Sequence, residues 1–461
     1  MTSEQGLGRV ATAAFVGTAI EYYDFFLYGM AAALVFGHAF FPALDAAGAL
    51  LAALSVYAVA FVARPVGAVL FGHFGDRLGR KAVLVVSLLM TGLSTAAVGL
   101  LPGYGQWGVW SPIALVLLRF CQGLGLGGEW GGAALLLAEY APAGRRGRYA
   151  GYLQLGPCAG SMLATGVFLA LSLGLSTSAF TAWGWRLPFV ASLLLVGVGL
   201  FVRLRIAETP VFAQYESQRA ADPSHDPVAA SGDPAPHRAA VPVLELLRDH
   251  WRPVLLGGGA LSFGYALFYL GNTYALAYAT GELGVDRTLM LTLQLLAAPS
   301  GALAVWFGAG GSDRWGRRRT LLIATALAAC WSLVLFPLLE SLRAGLMLLA
   351  MVGASVLLGV LLGPMGAYLP ELFPTRVRYT GAAFTYNLGG VVGGATAPLL
   401  ATRLTAHYGT ATPVGWYLAG LGVVSVLCLR ALPETRGCDL GLEQPLSVAP
   451  GARGASPAPG A

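Results

Sequence analysis

Glu21, Asp24, Arg64, Arg119, Gln122 and Glu129 are the residues of this chain best placed to do chemistry, because each lies inside a long apolar stretch. An ionisable group at the middle of a membrane-length helix costs about 2.5–3.5 kcal/mol on insertion scales, so each needs a reason to be there. Glu21 and Asp24 are three apart and share one helix face, which Tyr28 continues. Arg119, Gln122 and Glu129 fall along one stripe of a later helix. With about 1.5 Å of rise per residue, Asp24 lies roughly 20 Å above the start of its stretch and Arg119 somewhat higher, with Glu21, Arg64 and Glu129 near ~15 Å. These depths predict an upper Asp24–Arg119 pair and a lower Glu21–Arg64–Glu129 cluster. A carboxylate paired with a guanidinium stays ionised, whereas the same carboxylate alone in a desolvated cavity takes up a proton. Alternation between the two states would load and release protons, with Asp24, Arg119, Glu129 and Glu21 as the coupling groups.

The elements that hold these residues are legible in the composition. Hydrophobic residues make up 56% of the 461 and charged residues only 11%, against about 25% charged in a soluble domain. Mean hydropathy is +0.69, so most of the chain must face lipid. A crossing helix needs about 20 apolar residues. Twelve such stretches occur, near 10–37, 48–73, 82–102, 110–139, 148–174, 185–205, 252–280, 287–310, 320–338, 344–369, 379–403 and 413–431. The predicted fold class is an all-α membrane protein of twelve transmembrane helices in two six-helix domains, 1–205 and 251–432. A polar cytoplasmic linker, 206–250, separates them, with a short surface helix near Val241–Asp249. The Pro/Gly/Ala-rich segment 433–461 reads as a disordered cytoplasmic tail.

Net charge is +6, carried by arginine with one lysine, Lys81. Arginine and lysine crowd alternate loops while 38–48 and 103–111 have neither, which places both termini in the cytoplasm of a plasma or inner-membrane protein. The five cysteines show no metal-ligand spacing and read as small buried hydrophobes.

Two halves repeat each other. Asp76/Asp313, Glu139/Glu371 and Glu208/Glu434 are matched at offsets of 226 to 237 residues, and Arg146 and Arg378 each follow their glutamate by seven. Such duplication is a mark of transporters. Gly123-x-Gly125-x-x-Gly128 spells a dinucleotide fingerprint, but it lies inside an apolar helix rather than after a strand. There, small residues let helices approach.

The loop Gly72-x-x-x-Asp76-Arg77-x-Gly79-Arg80-Lys81 resembles the hallmark of the major facilitator superfamily. Its second copy, Ser312-Asp313-Arg314-Trp315-Gly316-Arg317, has Ala309 in place of the leading glycine, which predicts looser helix packing there. Arg64-Pro65-Val66-Gly67, Gly128-Glu129-Trp130-Gly131-Gly132, Trp183-Gly184-Trp185-Arg186-Leu187-Pro188-Phe189 and Glu371-Leu372-Phe373-Pro374-Thr375-Arg376-Val377-Arg378 narrow the resemblance to the metabolite:proton symporter family. It covers all but linker and tail, and residues 20–170 look most like shikimate-type members. The resemblance implies alternating access around a central cavity and supports the Asp24–Arg119 pair, since related sugar porters oppose such residues.

On this reading Asp76, Arg77, Arg80, Glu139, Arg146, Asp313, Arg317, Glu371 and Arg378 are gate residues. The loop aspartates would cap neighbouring helix N-termini, and Glu139–Arg146 and Glu371–Arg378 would latch helices. Tyr28, Arg64, Gln122, Tyr269, Asn272, Gln294 and Asn387 are the candidate substrate contacts, and Arg186 adds positive charge near the path. The expected protein is not an enzyme and uses no cofactor beyond the proton gradient. Its expected partners are a small-molecule substrate, protons and the bilayer, with no nucleic acid, and it is expected as a monomer. An organic acid of the shikimate or dicarboxylate type is the favoured cargo. A proline- or betaine-type osmolyte is the alternative, weakened by a tail without heptads, and hydrophobic-drug efflux comes after both.

Overall fold

The computed structural model describes residues 3–78, 80–127, 129–205, 242–374 and 377–438. The side chains of Asp76, Arg77, Arg80, Glu129 and Glu139 lie outside the described residues, as do the linker 206–241 and residues 439–461. Among the described residues every regular element is helical.

The long helices are α1 (Ser3–Ala31), α2 (Ala46–Leu78), α3 (Arg80–Leu100), α4 (Trp110–Gly127, followed by Glu129–Tyr140), α5 (Arg146–Gly174), α6 (Arg186–Arg205), α7 (Trp251–Tyr269), α8 (Arg287–Trp315), α9 (Arg317–Glu340), α10 (Ala344–Glu371), α11 (Arg378–Gly389) and α12 (Thr412–Ala431). A short helix, Pro242–Asp249, lies at the end of the linker as the sequence predicts. Nine described helices are long and apolar enough to cross a membrane, or ten if Thr177–Gly184 and Arg186–Phe201, bent by 49°, form one span. The other two expected crossings are helical but less apolar. In α3 the apolar part is Val85–Leu100, and α11 with its continuation carries Arg378, Thr385, Asn387, Arg403 and His407.

Apolar side chains such as Leu100, Leu194, Phe307 and Trp416 face outward, as a lipid solvent requires. Inside, small residues set the spacing. A Cβ on Gly123 would lie 2.5 Å from the Ala60 carbonyl, and Gly127 and Gly67 press on the backbones of Arg64 and Leu124. Gly67 of α2 and Gly123 and Gly127 of α4 therefore form the seam on which these two helices ride, whereas Gly125 of the fingerprint faces Ser87 and Thr91 of α3. Ala309 does not loosen α8, contrary to the sequence expectation. It is fully buried, and Gly147, Gly151 and Gly363 close on it, with Cβ positions 2.5–2.8 Å from its atoms. The missing hydrogen on one helix is recovered on its neighbours.

Among the described residues α1 runs on into a π-helical segment at Ala32–Phe36, α7 at Leu270–Tyr274 and α11 at Gly390–Ala395, and a fourth, Phe180–Gly184, precedes α6. A π segment inserts a residue and shifts the hydrogen-bond ladder. In α7 the displaced polarity is absorbed locally, because Asn272 Nδ2 donates to the Phe268 carbonyl at 2.7 Å.

Candidate proton-coupling and substrate site

Asp24 and Arg119 face the same buried centre without forming the expected ion pair. Thr95 Oγ1, from α3, lies 3.1 Å from Asp24 Oδ2 and accepts from Gln122 Nε2 at 2.7 Å. Arg119 Nη1 donates to Gln122 Oε1. Two neutral side chains thus bridge carboxylate and guanidinium. The geometry of α4 makes the Arg119–Gln122 link, since residues three apart share a face. Thr95 has a second acceptor, the Thr91 carbonyl at 3.0 Å, so its hydroxyl proton can turn either way.

Both buried arginines rest on aromatic rings. The Arg119 guanidinium lies 4.1 Å from the Tyr28 ring centroid, 4.5 Å from that of Phe25 and 4.8 Å from that of Tyr57. Arg64 lies 4.6 Å from Phe25 and 5.1 Å from Phe61. Cation–π contact offsets part of the desolvation of each charge. Arg64 Nε and Nη2, Arg119 Nε and Nη2, and the hydroxyls of Tyr28 and Tyr269 are buried without a hydrogen-bond partner among the described residues. Glu21 is buried near them at 6% exposure.

Tyr269 belongs to this centre, with its ring 5.3 Å from Phe25 and 5.1 Å from Phe61. Asn387 donates to the Gly127 carbonyl at 3.3 Å, linking α11 to α4. Asn272 and Gln294 are tied to backbone and to each other's helix, with Gln294 Nε2 donating to the Asn272 carbonyl at 2.8 Å. Arg186 is not near the centre: it donates to the Leu101 carbonyl at 2.8 Å and lies over Trp185, fastening α6 to the end of α3.

Below the centre the Tyr22 and Tyr386 hydroxyls are 2.5 Å apart, and Tyr386 stacks on Trp130 at 3.7 Å with rings 4° from parallel. Tyr22, Tyr386, Gln154, Tyr265 and Phe268 line a cavity of about 20 Å³, room for a single water. At the far end Arg287 lies 3.8 Å from the Phe180 ring centroid. The two halves therefore touch on both sides of the centre.

Residues 10–444 match the family model described as Sugar (and other) transporter. The chain belongs to that family. This transporter is 42% identical over 433 residues to the inner membrane metabolite transport protein YhjE of Escherichia coli K12, covering 93% of the chain and 94% of the relative. It is 35% identical over 433 residues to the shikimate transporter of the same strain, covering 93% and 95%. Its fold is that of the solved major facilitator superfamily proton:xylose symporter XylE, with TM-score 0.71 and 18% identity over 95% of this chain and 98% of that one. The protein is thus a multi-pass membrane transporter with the major facilitator fold, not an enzyme.

The transporter's charged end is held by a network that the loop motifs only outline. Asp313 accepts from the Gly147 and Arg148 amides at 2.9 Å each, capping α5. Arg317, 1% exposed, pairs with Asp313 at 2.7 Å and with Glu371 at 3.3 Å. Glu371 goes to Arg317 and to the Thr435 hydroxyl, 2.6 Å away, rather than to Arg378, whose Nε donates to the Phe373 carbonyl at 3.2 Å. Arg146 reaches the Cys438 carbonyl at 2.7 Å. The Glu371–Arg378 latch is therefore replaced by a Glu371–Arg317 pair. The start of the expected disordered tail, 433–438, is bound here too. Glu434 accepts from the Arg317 and Arg318 amides at 2.8 and 3.1 Å. Gly316, at φ 101°, lets it approach, since a Cβ there would lie 2.6 Å from Glu434 Oε2. The sequence reading of the site did not include Thr95, Tyr57, Phe25 and Phe61. The available signal was the Thr91/Thr95 pair, four apart on one face of an apolar helix.

Proposed function

We propose that the protein is a proton-coupled symporter that imports a small organic acid by alternating access, with both termini and the charged end in the cytoplasm. The observation that carries this reading is the buried chain Asp24–Thr95–Gln122–Arg119. When Asp24 takes a proton it becomes a donor to Thr95 Oγ1, and the Thr95 hydroxyl turns to the Thr91 carbonyl. The proton is accepted with no hydrogen bond lost. The two six-helix halves rock about this centre, and the Asp313 cap and the Tyr22–Tyr386 contact part when the cytoplasmic side opens.

The kinship with a shikimate transporter and the two central arginines support an organic acid as cargo. The test is uptake of labelled shikimate into proteoliposomes under an inward proton gradient, with 2-oxoglutarate, citrate, proline and betaine as competitors. Accumulation that collapses with a protonophore is expected. Accumulation of none of these compounds would overturn the reading.

A further inference from the structure

We propose that Arg64 is the anchor for a single carboxylate on the cargo, and that one such monoanion moves with the one proton on Asp24, so that transport is electroneutral. This rests on the symport reading above and names the chemistry of its cargo.

The argument begins with donors that lack acceptors. Arg64 is 3% exposed and Arg119 0%, yet Nε and Nη2 of both find no hydrogen-bond partner among the described residues. Buried polar atoms are ordinarily satisfied, and those left over call for a water, an ion or a ligand. Stacking on Phe25 and Phe61 uses the face of the Arg64 guanidinium and leaves its edge, where the N–H groups lie. A carboxylate is the acceptor whose two oxygens match that edge. The unpartnered hydroxyls of Tyr28 and Tyr269, on rings of the same cluster, would meet hydroxyl groups on the rest of the molecule.

The two arginines divide the work. Arg119 already spends one arm on Gln122 and so on the route to Asp24. Arg64 has no such hydrogen-bonded link to Asp24, and Phe25, whose ring lies under both guanidiniums, separates the two tasks; the buried Glu21 carboxylate acts on Arg64 as a charge common to the loaded and the empty carrier. Charge then sets the stoichiometry. Protonating Asp24 raises the charge of a low-dielectric centre by one, and a monocarboxylate lowers it by one, so loaded and empty carriers hold the same charge. A zwitterion or a neutral ester would leave the added charge uncompensated where such charges are costly.

The deciding experiment uses the full chain in proteoliposomes, with shikimate, shikimate methyl ester and betaine as probes and the membrane potential clamped separately from the pH gradient. Shikimate uptake should follow the pH gradient and be unchanged by potential, with neither ester nor betaine accumulated. Arg64→Gln should lower shikimate uptake about 10- to 100-fold, the loss of a charged hydrogen-bonded pair, and Arg64→Lys should restore part of it. Thermal stabilisation of the unaltered protein by shikimate but not by its ester would give the same answer without any variant. Shikimate uptake driven by potential, or uptake of betaine or ester with the pH gradient, would overturn this inference and leave proton symport standing. Gradient-driven uptake of none of the probes would remove both.

Discussion

Asp24 and Arg119 communicate through Thr95 and Gln122 rather than by contact. A direct pair must be pulled apart before a proton can bind, whereas a bridged one needs only a hydroxyl to turn. Asp24→Asn removes the titrating group and keeps the shape. Accumulation against a gradient should fall at least about tenfold, equivalent to about 1.4 kcal/mol, while exchange of cargo between equal pools persists. Parallel uptake and counterflow assays separate the two, and full accumulation by the variant would refute the coupling role.

Thr95→Val keeps volume but leaves Gln122 Nε2 and Asp24 Oδ2 without their shared partner. The unpaired groups should cost about 1–3 kcal/mol, read as a lowered unfolding midpoint in detergent. Uptake should also lose part of its dependence on external pH, which a purely structural threonine would not change.

At the charged end, Glu371→Gln leaves Arg317 with a weaker partner in a buried place. Loss of one member of a buried pair costs about 3–5 kcal/mol when the other charge is stranded. Asp313 still faces Arg317, so the lower part of that range is expected. Replacing both, as Arg317→Met with Glu371→Leu, should recover much of the stability. Unfolding midpoints of the two single variants and the double variant complete the cycle.

Gly127→Ala should be far worse than its single methyl group suggests, because the new carbon meets the Arg64 backbone. The α2–α4 seam would have to open, and overpacking of this kind costs about 1–3 kcal/mol or more. It would also displace Arg64. The expected result is poor yield of folded protein, measured by monodispersity after extraction; normal yield with normal uptake would show that the seam is not held by the glycines.

The legibility of the fold and of the site differ for a physical reason. Charges inside apolar stretches stand out because lipid tolerates few of them, so Asp24, Arg64 and Arg119 are legible in the sequence as buried charges. Thr95 is far less so, because a threonine in a membrane helix bonds its own backbone at no great cost, and the Thr91/Thr95 spacing is its one faint mark. The expected Glu371–Arg378 latch failed for a similar reason. Spacing in the chain places both near one helix end, but it cannot say that Arg317 arrives from α9 and offers the better partner. The polar character of α11 belongs with these cases, since Tyr386 and Asn387 face other helices rather than lipid.

Glu434 follows α12 yet caps α9. The N-terminal amides of α9 therefore wait, through the making of three further helices, for their acceptor. During synthesis the α9 amides stay uncapped by Glu434 until α12 has been made, so the order of the chain puts the closing of this end last.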